Sequence, residues 1–208
     1  MFLIAVALLF ILMTVLLQFY FRYNTLFLKA ACTSVGVMLS LWAVLKKADV
    51  FSILVFCALL LCMAADVILE LRFVIGMLVF LCGHLFLIAA LLQFAQPQWV
   101  SLLLWLLLYS GTVLLFRKYI PQLGSRFLPF MVYPVILLGM LSLALPLPFM
   151  LHNTGSWLFA AGAFLFSCSD LLLAHNIITE NHQRWRSHLV MYWYEPAIFL
   201  LALSVFYR

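Results

Sequence analysis

The sequence predicts an all-α fold, a polytopic transmembrane helical bundle of about eight spans that forms one domain over residues 1–208. Three observations carry that reading. The chain is 69% hydrophobic and 8% charged, whereas a soluble domain is about half apolar and about a quarter charged. Its mean hydropathy is +1.25, so it has too little polar surface to cover itself in water. The apolar runs are long and unbroken, and they lack the period-two alternation of barrel strands.

About 20 apolar residues cross the hydrocarbon core as a helix, which places spans at about 1–20, 26–45, 50–70, 73–92, 98–116, 127–145, 156–175 and 188–207. The first run begins at Met1 without a basic leader, and its first charge is Arg22. It therefore reads as a spanning helix and not as a cleavable signal. The intervening segments are Arg22 to Asn24, Lys46 to Asp49, Glu70 to Arg72, Gln96-Pro97-Gln98, Arg117 to Arg126, Pro146 to Gly155 and His175 to Ser187. None is long enough for a soluble domain. In the seventh span, Ala160-Ala161-Gly162-Ala163 predicts close helix packing. In the eighth, Pro196 removes a backbone hydrogen bond and predicts a kink. The five cysteines (Cys32, Cys57, Cys62, Cys82 and Cys168) lie in apolar runs without a CxxC pair, and read as reduced packing residues.

The formal net charge is +5. The basic residues sit in short loops, which argues for membrane orientation and against nucleic-acid binding. Alternate loops hold Arg22, then Arg72, then Arg117, Lys118 and Arg126, then Arg184 and Arg186. The other side holds Lys46, Lys47 and Arg208. The first set is expected in the cytoplasm, with both termini outside it, in a cell membrane that would be a bacterial inner membrane.

Charges within a span cost about 2.5–3.5 kcal/mol each on insertion scales and mark function unless they are paired. Lys29, Asp66, His84, Asp170 and Glu195 stand out. Counted from the span ends, Lys29, Asp66, Asp170 and Glu195 lie roughly 5–10 Å from one face, and His84 about 16 Å from it. All five fall in the same half of the bilayer, and a shared polar cavity opening to one face would explain this. Blander roles stand beside that one. The aspartates can glue helices or pair with Lys29, and Lys29 can snorkel. His84 can be a bonded core histidine, and Glu195 can cap the Pro196 kink. Glu70, beside Arg72, reads as solvated. Tyr192, Trp193 and Tyr194 read as interfacial anchors, with one tyrosine free to face the cavity. His175, His182 and His188 read as surface residues; no metal site is expected.

At these positions the chain resembles the YhhN-like lysoplasmalogenases. Lys29 follows an aromatic-Leu pair. Asp66-Val67-Ile68-Leu69, Arg72-Phe73, Gly76, Phe80 and Gly83-His84 form a second block, and Gly162-Ala163, Phe166, Ser169-Asp170 and Ala174 a third. The resemblance covers residues 26 to 204. It departs at Ala30, where the family has Pro, at Ala65, usually Gly, and at Tyr194-Glu195-Pro196-Ala197, which fits the family's last span only in part. It implies hydrolysis of the vinyl ether bond of lysoplasmalogens, giving a fatty aldehyde and a glycerophospho-ethanolamine or -choline. The implied partners are a lysophospholipid substrate and membrane lipid, with no cofactor.

A vinyl ether is stable to base and labile to acid. Protonation of its β-carbon gives an oxocarbenium ion, to which water adds. The chemistry needs one protonated acid and one carboxylate that stabilises positive charge or directs water, much as in glycoside hydrolysis. Asp66 and Asp170 are the expected catalytic pair. Lys29, His84, Tyr192, Tyr194 and Glu195 are expected to bind substrate or support the pair: Lys29 would hold an aspartate ionised or meet the phosphate, and His84 would position water. The main alternative is a proton-coupled small-molecule transporter, for which intramembrane carboxylates also suit a proton relay. A structural membrane subunit is the bland alternative. An intramembrane aspartyl protease fits less well, since Ala64-Ala65-Asp66 stands where Gly-x-Gly-Asp belongs. A zinc hydrolase would need more histidines inside the bundle.

Overall fold

A computed structural model describes residues 1–208 except 95, 97, 125, 126, 181 and 182, and among the described residues it contains helices and turns without strands. Pro97, Arg126 and His182, read above as loop residues, lie outside the described residues. The helices are α1 (Phe2–Tyr23), α2 (Leu26–Lys46), α3 (Val50–Leu71), α4 (Phe73–Leu91), α5 (Trp99–Phe116), α6 (Phe127–Ala144), α7 (Leu147–Leu151), α8 (Thr154–Ile178) and α9 (Arg184–Ser204). Eight segments are long and apolar enough to cross a membrane, α6 and α7 together forming one of them. The chain is a multi-pass membrane protein.

Several ends fall outside the expected bounds, for reasons visible at the caps. α1 runs on to Tyr23 because Asn24 takes the left-handed conformation (φ 48°) and returns its N–H to the Tyr20 carbonyl. α8 starts at Thr154 because the Asn153 side chain accepts from the Ser156 N–H at 2.8 Å. Asp49 caps α3 in the same way at 2.9 Å. The 146–155 segment, expected as a loop, contains the short helix α7. The last span begins at Arg184, and a 3-10 turn over Val205–Tyr207 follows it.

Lipid supplies no hydrophobic drive between helices, so close approach depends on small residues. At Gly76 of α4 an added Cβ would lie 2.5 Å from the Leu69 backbone of α3, and at Gly83 3.2 Å from the Ala58 carbonyl. At Gly162 of α8 it would lie 3.0 Å from the Ala197 carbonyl of α9, so the expected packing role of that stretch holds there. At Gly36 of α2 it would lie 2.4 Å from Ile198 of α9. Helices α2, α3, α4, α8 and α9 thus close around a core that includes Leu39, Leu59, Phe159, Phe166 and Ile198. α5 stands apart, with Ser101 its one buried residue among those described. It packs on α6, where the Trp105 indole donates to the Val135 carbonyl at 3.0 Å, beside the in-helix Pro134. Leu3, Leu8, Leu107 and Leu115 are among the apolar side chains left exposed, as expected of a surface that faces lipid.

Candidate active site

α2 and α3 run antiparallel with a register that brings two polar pairs together. Lys29 Nζ lies 3.0 Å from Glu70 Oε1. One turn deeper, the Thr33 hydroxyl donates to Asp66 Oδ2 at 2.8 Å. Lys29 and Thr33 are four apart on α2, and Asp66 and Glu70 four apart on α3, so each pair occupies one helical face. α9 closes the cluster. The Tyr194 hydroxyl donates to Asp66 Oδ2 at 2.8 Å, and Glu195 Oε1 lies 3.1 Å from Thr33 Oγ1. Asp66, Thr33, Tyr194 and Glu195 are all buried.

Asp170 of α8 is the centre of a second cluster. The Tyr133 hydroxyl of α6 donates to Asp170 Oδ2. His84 Nε2 of α4 lies 4.0 Å from the same oxygen. His84 Nδ1 is 2.8 Å from the Phe80 carbonyl, which assigns the proton to Nδ1 and leaves Nε2 a bare acceptor. Nε2 is fully enclosed and has no hydrogen-bond partner among the described residues. The Ser169 hydroxyl donates to the Val190 carbonyl at 3.0 Å, tying this stretch of α8 to α9.

An aromatic layer separates the clusters. The Phe166 ring centroid is 5.3 Å from that of Tyr194 and 4.8 Å from that of His84. Phe80 packs on both Phe166 and Tyr194. In place of one shared polar cavity there are two clefts, because these rings fill the space between the carboxylates. The first lies among α4, α5, α6 and α8, with an empty volume of about 840 Å³ including its mouth. Phe73, Met77, Phe116, Phe130 and Ile178 are among its lining residues, and Asp170 is the one carboxyl on its wall among the described residues. The second has an empty volume of about 1700 Å³ and carries Arg22, Lys29, Glu70, Asn176, Arg184 and His188 on its wall. Leu173 and Ile177 of α8 line both clefts, which makes them neighbours.

Several expectations change here. Lys29 pairs with Glu70 and not with an aspartate, so Glu70, still half-exposed, is not simply solvated. Glu195 does more than cap a kink: it is buried in the Asp66 cluster. Tyr194 is the tyrosine that turns inward. Tyr192 stays at the periphery, 47% exposed, accepting from Gln18 Nε2 at 3.1 Å and packing on Phe21. It lies outside both clusters, since residues two apart on a helix face different ways. His175 is half-buried against Phe116 and Tyr119, and His188 packs on Phe21, so neither is freely exposed. Thr33 and Tyr133 were not among the expected site residues. Lys29 four residues before Thr33 was the available signal for the first, and a tyrosine before an in-span proline a weak one for the second.

Among the described residues no three His, Cys, Asp or Glu side chains gather as a metal site. All five cysteines are free thiols. No curated protein and no solved structure matches the chain. The sequence model of the YhhN family matches residues 24–205, a stretch that holds every residue of both clusters, and the chain belongs to that family.

Proposed function

We propose that this protein is a membrane-embedded lysoplasmalogenase, an ether hydrolase that cleaves the vinyl ether bond of lysoplasmalogens by acid-base catalysis with Asp170 and Asp66. The observation that carries the proposal is the position of Asp170, a carboxyl on the wall of an apolar cleft, with a tyrosine donor and a bare histidine nitrogen beside it. Such a cleft suits a single hydrocarbon chain. The neighbouring cleft offers Arg22, Lys29, Arg184 and His188 to a phosphate, and Glu70 to an ethanolamine or choline cation. A lysophospholipid would then lie with its vinyl ether between the two.

Asp170 is the acid in this scheme. Tyr133 donates to Oδ2 and leaves Oδ1 for the proton that passes to the β-carbon. The oxocarbenium ion that results is stabilised by the carboxylate of Asp66, whose charge acts across apolar rings in a medium of low dielectric. Water reaches the cation from the cleft that Asp170 lines, where the newly ionised Oδ1 accepts its hydrogen bond and directs its attack. That water adds to the cation and returns a proton to Asp170. The hemiacetal then collapses, its hydroxyl proton ends on the glycerol oxygen, and aldehyde and alcohol are released. No proton is consumed overall.

The test uses three lipids with one head group and one chain length. The purified protein should release aldehyde from the 1-alkenyl lysophospholipid and leave the 1-alkyl ether and 1-acyl ester intact. Only the enol ether has a π-bond that takes a proton on carbon, so the discrimination should appear in turnover and not in binding. Comparable release of fatty acid from the ester would make the protein a lysophospholipase. No cleavage, with proton-driven solute uptake in proteoliposomes, would make it a transporter.

A further inference from the structure

Thr33 Oγ1 makes three polar contacts: Asp66 Oδ2 at 2.8 Å, Glu195 Oε1 at 3.1 Å and the Lys29 carbonyl at 3.3 Å. All three partners are oxygens. A hydroxyl has one proton to give and otherwise only accepts. It therefore cannot satisfy two ionised carboxylates, and at least one of Asp66 and Glu195 carries a proton. Two buried anions on one hydroxyl would also repel each other across a low-dielectric core.

The surroundings of the two acids are unequal. Asp66 Oδ2 receives the Tyr194 hydroxyl as well as the closer Thr33 contact. Lys29 and Glu70 form an ion pair one turn away on the same two helices. Glu195 Oε1 has Thr33 alone, and Oε2 is enclosed with no partner among the described residues. A bare buried oxygen is far cheaper on a neutral carboxylic acid than on a carboxylate. The groups facing Glu195 are Asp66, Thr33, Lys29, the Cys32 thiol and the Tyr194 hydroxyl, which donates to Asp66, and none of them donates to Oε2.

We infer that Glu195 is a neutral carboxylic acid at neutral pH, donating through Thr33 to an ionised Asp66. The order is Glu195 O–H to Thr33 Oγ1, then Thr33 O–H to Asp66 Oδ2. Glu195 is thereby a positioning residue: it holds the one proton of the pair and keeps Asp66 an anion. That protonation state rests on the geometry alone. Its use in turnover rests on the hydrolase reading, and the test below reads the first without the second.

Infrared spectroscopy of the purified full chain in a carbonyl-free detergent resolves buried carboxylic acids from carboxylates. Glutamate with a 13C side-chain carboxyl, incorporated selectively, shifts only glutamate bands. The chain has three glutamates, and Glu70 and Glu180 are exposed. At neutral pH the label should shift an acid C=O band that is slow to respond to D2O. Glu195→Gln should lose that band, and Asp66→Asn should keep it. A label-blind acid band that vanishes in Asp170→Asn belongs to Asp170, whereas one that survives in Glu195→Gln and vanishes in Asp66→Asn would place the proton on Asp66 and overturn the inference. Absence of any glutamate acid band in the wild-type chain would overturn it without recourse to a variant.

Discussion

Replacing Asp170 with Asn separates chemistry from architecture. The amide oxygen can still accept from Tyr133, so the hydrogen bond at this side chain persists. The resting acid is neutral in the scheme above and so is the amide, and neutral hydrogen bonds contribute about 0.5–1.5 kcal/mol each, so the fold should lose no more than about 1 kcal/mol. Against that, the carboxamide has no proton to place on carbon. A positioned general acid contributes about 10²–10⁴-fold, or roughly 2.7–5.5 kcal/mol of barrier. Thermal unfolding in detergent should therefore move by a few degrees at most, while kcat for aldehyde release falls by two orders of magnitude or more and KM holds. The assay couples the released aldehyde to its reduction by an added dehydrogenase, with size-exclusion elution recorded alongside. Retention of more than about a tenth of the wild-type kcat would refute the acid role of Asp170. Loss confined to KM would make it a binding group.

Two further outcomes are expected. Cysteine labelling or reporter fusions should place the 117–126 and 176–187 loops in the cytoplasm and both termini outside, given where the basic residues concentrate; a cytoplasmic C-terminus would overturn that orientation. At the other end of the bundle, Asp49 caps α3 and meets Arg208 and Lys47. Partial burial pushes its carboxyl up, but the Ser52 N–H and hydroxyl, Arg208 and Lys47 outweigh this and hold it below the usual carboxylate range. A depressed folded value gives stability that is present above the unfolded value of about 3.9 and is lost as pH falls through the folded one. Asp49→Ala should lower thermal stability at neutral pH by about 0.5–2 kcal/mol, and the gap from wild type should close in acid. An equal gap at neutral and at acid pH would sink the capping argument.

The span count was legible because lipid imposes one rule on every crossing, a long apolar helical segment, and each of the eight spans obeys it. The intramembrane carboxylates were legible for the same reason, as exceptions to that rule. Their partners were harder to see. The Lys29–Glu70 and Thr33–Asp66 pairs follow from one antiparallel register of α2 on α3, and each helix carries its half of the pattern at a spacing of four. No rule in a single sequence says which helices are neighbours, so the two halves could not be matched. Tyr133 was missed because a tyrosine in an apolar run looks like an interfacial anchor until the helix beside it is known. Tyr192 falls outside both clusters although it sits two residues from Tyr194, because a cluster in sequence is not a cluster on a helix face. The single polar cavity expected from matching depths failed on side-chain bulk. Phe80 and Phe166 occupy the ground between the two carboxylates.

Leu173 and Ile177 form a partition with an apolar cleft on one side and a basic one on the other. On the proposed hydrolase reading, a substrate cut at that partition would leave two fragments of opposite solubility, each already in the compartment that matches its exit. The aldehyde would depart sideways into the hydrocarbon, and the phosphorylated alcohol would leave through the polar mouth into water. Once parted into different phases, the fragments meet again only at the dilution of each phase, so recombination is slow whatever the chemical equilibrium. The fold would thus use the membrane as an extractor that draws the reaction forward, and crowding of the lipid phase with aldehyde would hold it back more than accumulation of the water-soluble product.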